Sequence, residues 1–166
     1  PKNLDNLEKL IRLIASLGVE KNIIRRIFVM FEPDTKRAGR LADIFRLNRE
    51  QKEHLLELSK AKLSKNSFKD SVSINRAVYL YGKDVCRDKW LCLNLDNTNE
   101  EKTKDILNTL DSMSIPFFPL NGKDLIQIGA DQKLIGLYID ALKKDWYEHG
   151  CCLSKEELIR KYKEIF

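Results

Sequence analysis

The sequence contains no long apolar run and few histidines, cysteines or glycines. Its 166 residues include two His, four Cys and seven Gly. No apolar run approaches the length of a membrane span, so we expect no membrane partner. No signal peptide is visible, and we expect a cytoplasmic protein. The cysteines are too few for a disulfide scaffold in a chain of this length, so free and mostly buried thiols are expected.

The motifs of several enzyme classes are also absent. Neither G-x-G-x-x-G nor G-x-x-x-x-G-K-[ST] occurs, so the sequence offers no glycine-rich phosphate loop. Neither G-x-S-x-G nor H-E-x-x-H occurs. Two-metal nucleotidyl transfer needs carboxylates around the ions, but no Asp-x-Asp pair is present and Glu32-Pro33-Asp34 is typical of a turn that ends a helix. By its own residues the chain is predicted to be non-catalytic.

Charge is distributed unevenly along the chain. The sequence has 30 Lys or Arg against 25 Asp or Glu, a net charge of +5. Residues 1–62 carry 14 basic and 9 acidic side chains, whereas residues 98–166 carry 10 and 12. A basic excess in the first half fits an anionic partner such as nucleic acid.

Apolar residues recur at helical spacing along nearly the whole chain. Such patterns predict helices within residues 4–18, 22–32, 34–47, 48–63, 74–82, 98–113, 131–150 and from 154 onward. Residues 84–95 fit a helix or a strand, and the polar residues 64–71 fit a loop. We therefore predict an all-α globular bundle of about eight or nine short helices. The loop suggests two subdomains, residues 1–63 and 72–166.

The predicted helix at residues 34–47 has two different faces. Ala38, Leu41, Ala42 and Phe45 follow the i, i+3, i+4, i+7 pattern and form an apolar face. The side chains of Lys36, Arg37 and Arg40 project to the other side. Such a cluster of cations can neutralise backbone phosphates. The alternative is an ordinary solvated helix face.

The stretch FFPLNGKDLIQIG, residues 117–129, predicts a sharply defined short helix. Asn121 can cap its start, Asp124 suits its positive first turn, and Gly129 suits its left-handed end. Lys123 then lies where a lysine and backbone N–H groups together can grip a phosphate. With the helix that follows, residues 117–149 resemble a helix-hairpin-helix. The alternative is that Asn121 and Gly122 only make a tight helix entry.

Residues 118–150 combine this turn and short helix with a longer helix, through Pro119, Gly122, Asp124, Leu125, Gly129, Ile135, Gly136, Leu142 and Trp146. By these residues the segment resembles the C-terminal signature of the bacterial CCA-adding tRNA nucleotidyltransferase and poly(A) polymerase family. Upstream, RLADIFRLNREQKEHLLELS resembles a family segment that precedes a Leu-rich helix. INRAVYLYGKDVCRDKWLCLNL resembles the helix pair after it, through Arg76, Tyr79 and Gly82. This resemblance favours a helix at residues 84–95.

The resemblance implies that the chain is the helical body and tail of such an enzyme. Its partners would be tRNA, held at the acceptor stem and TΨC arm by backbone contacts, and its own N-terminal catalytic head and neck. The family's catalytic and nucleotide-reading motifs are absent here, so no catalytic residue is assigned. No cofactor is expected in this chain, since Mg²⁺ and CTP or ATP belong to the missing head. The start at Pro1, without an initiator methionine, fits a piece of a longer protein.

The residues expected to contact RNA are, in order of preference, Lys123, Arg76 and then Lys36, Arg37 and Arg40. Two other functions remain open at this point. One is an all-α protein-interaction module, and the other is a helix-hairpin-helix DNA-binding domain. Within the family, the choice between CCA addition, partial CCA addition and poly(A) synthesis resides in the absent head and neck.

Overall fold

The structure, a computed structural model, describes residues 2–166. Within that range it contains ten α-helices and no strand, which confirms the predicted all-α bundle. The helices are α1 Lys2–Ser16, α2 Ile23–Phe31, α3 Thr35–Ile44, α4 Arg49–Lys60, α5 Ser71–Tyr81, α6 Lys83–Leu93, α7 Glu100–Ser112, α8 Gly122–Gln127, α9 Ile135–Glu148 and α10 Lys155–Ile165. None of these helices is both long enough and apolar enough to cross a membrane.

Capping residues define most of the helix starts. Asn48 accepts a hydrogen bond from the amide of Gln51 at 2.9 Å, and the Gln51 side chain accepts one from the amide of Asn48 at 3.1 Å. Ser154 and Glu157 form the same reciprocal pair at the start of α10. These bonds satisfy amides that have no partner inside the helix.

Residues 84–95 lie mostly in α6, which confirms the helix favoured there over a strand. The structure differs from the sequence prediction at two connections. Asp131 caps a 3₁₀ turn at Gln132–Leu134 rather than α9 itself, which begins at Ile135. The predicted loop at 64–71 contains a 3₁₀ turn, Lys65–Phe68, because Phe68 is buried and packs 4.9 Å from the Trp90 ring.

Helix α6 lies between two hydrophobic cores and contributes to both. One core includes Leu13 of α1, Val78 of α5 and Leu110 of α7 together with Trp90 of α6. The other is formed by α2, α3 and α4 with Val85 of α6. Helices from both sides of residues 64–71 therefore share their cores, and the proposed subdomain boundary stays a prediction.

A third core joins α8, α9 and α10. Its centre is Trp146, whose ring makes edge-to-face contacts with Tyr79 of α5 at 5.0 Å and with Phe118 at 5.4 Å. The indole Nε1 donates a hydrogen bond to the carbonyl of Leu153 at 3.2 Å. Because Tyr79 belongs to α5, this core connects the last three helices to the rest of the bundle.

Several residues that carry the family resemblance have a packing role in this core. Leu125, Leu142 and Trp146 are buried. A Cβ atom at Gly122 would lie 3.0 Å from Cγ2 of Ile135, so α8 approaches α9 closely at this glycine. These matches are therefore explained by the packing of α8 on α9, and by themselves they do not indicate a ligand.

A buried ionic cluster joins α2, α4 and α6. Asp88 places Oδ1 2.9 Å from Arg25 Nε and Oδ2 2.8 Å from His54 Nε2. The Arg25 contact is an ion pair whose N–H is poorly aligned for a hydrogen bond, and Nη2 instead donates to the carbonyl of Glu20 at 2.8 Å. Both charged side chains of the Arg25–Asp88 pair are 6% exposed. The cluster therefore depends on the Asp88 carboxylate to balance a buried guanidinium.

His54 should make the stability of the protein depend on pH. Its hydrogen bond to Asp88 raises the pKa of His54, while burial acts against that rise. A raised folded-state pKa means that the stabilisation is complete below the unfolded value of about 6.5 and is lost as pH rises through the folded value. In urea unfolding from about pH 5.5 to pH 9, wild type should therefore lose its advantage over His54→Gln. A difference that stays constant across this range would contradict the assignment.

Candidate nucleic-acid interface

The cations of α3 lie together on one exposed face. Asp34 starts the helix by accepting a hydrogen bond from the Arg37 amide at 2.8 Å. The helix buries Ala38, Leu41 and Ala42, and the first two belong to the second core. The side chains of Lys36, Arg37 and Arg40 remain exposed and line one shallow pocket of about 460 Å³. The structure thus brings together the three residues that helical periodicity placed on one side.

Next to these cations lie apolar side chains that the sequence did not predict there. Phe45 was predicted to pack inward, but it caps the end of α3 and is 44% exposed. Its ring lies 5.9 Å from the ring of Phe31, over which the Arg37 guanidinium sits at 5.9 Å. Ile44, also in this pocket, is 72% exposed. Lys36, Arg37, Arg40, Phe31 and Phe45 are named the α3 basic face.

The cations of the α3 basic face differ from those of the neighbouring helix in their partners. Across residues 2–166, Lys36, Arg37 and Arg40 form no salt bridge. On α4, Arg49 pairs with Glu53 and Lys52 pairs with Asp43, each at 2.9 Å. Of these two helices, α4 has its cations in salt bridges, whereas the cations of α3 have no carboxylate partner among the described residues.

Arg76 belongs to a second cationic pocket, between the 64–70 segment and α5. This pocket of about 500 Å³ also receives Lys62 and Lys69, which sequence reasoning missed. Their contribution depends on the burial of Phe68, which fixes the segment that was predicted as a loop. The Arg76 guanidinium lies 5.7 Å from the ring centroid of Tyr147 in α9, which restrains its position.

Lys123 lies apart from both of these pockets. It is exposed at the first turn of α8, beside a broad pocket of about 770 Å³ that also contains Gln132 and Ile135. Asn121 Oδ1 accepts hydrogen bonds from the amides of Lys123 and Asp124 at 2.9 and 3.3 Å. These two amides are therefore engaged, whereas the Lys123 side chain is exposed.

Asp124 has a structural role beside Lys123. Its carboxylate accepts a hydrogen bond from Lys155 Nζ at 2.6 Å and another from the Asn121 amide at 2.9 Å. These two contacts, the one with Lys155 foremost, lower the pKa of Asp124. The negative charge of this carboxylate next to Lys123 weakens any attraction of the turn for an anion.

The cysteines are free thiols, as predicted, but they are not mostly buried: Cys86 is buried, Cys92 and Cys151 are partly buried, and Cys152 is exposed. Burial raises the pKa of Cys86 and of Cys92 to about 12 and that of Cys151 to about 11. A thiol with such a pKa is a poor nucleophile, because the thiolate is the reactive form. In the part of the chain that the structure describes, no three His, Cys, Asp or Glu side chains are grouped to hold a metal ion.

The five predicted contact residues thus occupy three separate places: the α3 basic face, the Arg76 pocket and the start of α8. Only the first gathers several of them. No family model matches the chain, and comparison with curated proteins gives no significant match.

Proposed function

We propose that the chain is the tRNA-binding body and tail of a tRNA nucleotidyltransferase or poly(A) polymerase. The observation that carries this proposal is the α3 basic face, where three cations that form no salt bridge with the described residues lie beside two partly exposed aromatic rings. The parent enzyme's CCA or poly(A) chemistry, with its Mg²⁺ and CTP or ATP, would belong to a head and neck outside this chain.

Binding would use the phosphate backbone and the shape of the RNA. The major groove of A-form RNA is too narrow for side chains to read its bases, so contacts fall on phosphates and 2′-hydroxyls. Lys36, Arg37 and Arg40 would neutralise phosphates and release their counterions. Phe31 and Phe45 offer partly exposed rings on which an unpaired base can stack. Such contacts would let one surface serve many tRNAs.

Neutralising the α3 basic face should weaken tRNA binding. We expect Lys36→Gln/Arg37→Gln/Arg40→Gln to lower the affinity for a tRNA minihelix at least tenfold. The slope of log affinity against log salt should become shallower by about 2–3, since each lost phosphate contact removes about one counterion. Binding by fluorescence anisotropy across a salt series measures both quantities.

The matched control neutralises three ion-paired cations of α4, Arg49→Gln/Lys52→Gln/Lys60→Gln. It removes the same formal charge, and we expect a much smaller loss of affinity. Equal losses in the two triple variants would show a general charge effect and overturn the assignment to α3. Lys123→Ala tests the α8 turn separately, and an unchanged affinity and salt slope would make that turn structural only.

An all-α interaction module is the second function, and one observation favours it. Leu134, Leu137 and Ile126, around α8 and α9, are 43%, 63% and 42% exposed. This module would bind a protein groove with little salt dependence. The remaining alternative is a helix-hairpin-helix DNA-binding domain. Measuring the affinity for duplex DNA in the same salt series tests it, because such a domain would bind DNA and tRNA with comparable affinity.

A further inference from the structure

The pocket around Arg76 has the composition of a small-molecule site. Its volume of about 500 Å³ is within the range of about 300–1,000 Å³ usual for ligand pockets. Lys62, Lys69 and Arg76 supply positive charge. The remaining lining combines apolar and hydrogen-bonding side chains, namely Leu63, Ala77 and Leu80 with Asn66, Ser67, Ser73 and Tyr81.

Helix α5 positions one wall of this pocket by simple periodicity. Ser73, Arg76, Ala77 and Leu80 follow the i, i+3, i+4, i+7 spacing, so they form one stripe along the helix. The stripe places a hydroxyl, a guanidinium and an apolar surface in sequence along one wall. A ligand lying along it would meet polar and charged groups at one end and Leu80 at the other.

The opposite wall comes from residues 62–69. Phe68 is 1% exposed and holds this segment against Trp90 in the core. Lys62 and Lys69 are thereby kept on the pocket side of the segment, on either side of the 3₁₀ turn. The site is thus built by a fixed segment and a helix, so its shape exists before a ligand binds.

No carboxylate lines the pocket within the described chain. The nearest acid in sequence is Asp70, whose Oδ2 is 3.9 Å from Lys69 Nζ. Asp70 is occupied at the start of α5, where its Oδ1 accepts a hydrogen bond from the Ser73 amide at 2.7 Å. The three cations therefore have little negative charge near them, and such a group of cations favours a ligand with a dianionic group.

We propose that this pocket binds a nucleoside phosphate, either a free mononucleotide or the 5′-terminal nucleotide of an RNA. The phosphate would lie among Lys62, Lys69 and Arg76. The base would pack on Leu63 and Leu80, with Asn66 and Tyr81 able to hydrogen bond to the sugar or base. The site is separate from the α3 basic face and does not depend on tRNA binding there.

Calorimetry with adenosine 5′-monophosphate, adenosine and inorganic phosphate tests this directly. We expect one saturable site for the nucleotide and at least tenfold weaker binding of the other two. Lys69→Gln/Arg76→Gln should weaken nucleotide binding at least tenfold. Lys36→Gln/Arg37→Gln, which removes two equivalent charges from α3, should leave it within twofold. Both pocket positions are exposed, so the variants should fold, and circular dichroism checks that they do.

Three results would overturn the proposal: no saturable nucleotide binding, equal losses in the two double variants, or phosphate binding as tightly as the nucleotide. Two tRNA minihelices, one with and one without a 5′-phosphate, are then used to compete with adenosine 5′-monophosphate. This competition distinguishes the two sources of the ligand. Stronger competition by the phosphorylated minihelix identifies the RNA terminus, and no competition by either minihelix identifies the free nucleotide. The failure of this proposal can be told apart from failure of the proposed function. If the α3 triple variant loses tRNA binding but the wild type binds no nucleotide, the pocket is rejected and the proposed function is kept.

Discussion

Replacing Asp88 with asparagine is expected to lower the free energy of unfolding by about 3–5 kcal/mol, the usual cost of removing one partner of a buried ion pair. Asparagine keeps the size of the side chain and removes its charge. The positive charge of Arg25, whose side chain is only 6% exposed, would then have no counter-charge. His54 would lose the carboxylate that its Nε2 contacts at 2.8 Å.

The remaining contacts of Arg25 cannot replace Asp88. Its Nη2 donates to the Glu20 carbonyl at 2.8 Å, whereas its Nη1 is buried and has no hydrogen-bond partner among the described residues. A backbone carbonyl is a neutral acceptor and offers less to a guanidinium than a carboxylate does. Most of the destabilisation would therefore come from the charge left behind in the core.

Urea unfolding at neutral pH measures this loss, and two further variants assign its cause. Asp84→Asn removes an exposed acid one turn earlier on α6 and should cost less than about 0.5 kcal/mol. Arg25→Met/Asp88→Asn removes the stranded charge and should be more stable than Asp88→Asn alone. A loss of less than about 1 kcal/mol for Asp88→Asn would contradict the role given to this carboxylate.

The contrast between the α3 basic face and this ionic cluster shows what the sequence can predict. The spacing of Lys36, Arg37 and Arg40 within one helix is local, and the structure keeps all three on the exposed side. Arg25 and Asp88 lie on helices that are far apart in the sequence. No periodicity connects such residues, so only the packing of α2 against α6 brings them together.

The Arg76 pocket likewise combines residues that helical periodicity predicts with residues that only tertiary packing brings together. Its α5 stripe follows from helical spacing, but Lys69 comes from the polar stretch 64–71 that the sequence indicates only as a loop, and Lys62 lies at the end of the helix predicted before it. The single apolar residue in that stretch, Phe68, was the available signal, because an isolated aromatic among polar residues often anchors a turn to the core. Phe45 was misplaced for the opposite reason, since helical spacing was extended to a residue at the helix end.

Replacing Gly150 with alanine is the second substitution with a large expected effect, a loss of about 2–4 kcal/mol of stability. Gly150 follows α9 with φ at +71°, a conformation that L-residues adopt at a cost. A Cβ atom there would also lie 2.9 Å from the Cα of Val72. Because that neighbour is backbone, a side-chain rotation cannot relieve the contact, and α5 or the end of α9 must move.

The close approach at Gly150 also supports the contact between α5 and α9. The Gly150 carbonyl accepts a hydrogen bond from Asn75 Nδ2 at 3.0 Å, and displacement of the backbone would strain this bond.

Gly136→Ala is the matched control, since Gly136 lies in α9 with open space around its Cβ position. Alanine there should stabilise the protein by about 0.5–1 kcal/mol. Thermal unfolding should therefore separate the two variants in opposite directions from wild type. Equal stabilities for the two variants would show that α5 and α9 can move apart at Gly150 without a loss of stability. The third core would then be only loosely attached to the rest of the bundle.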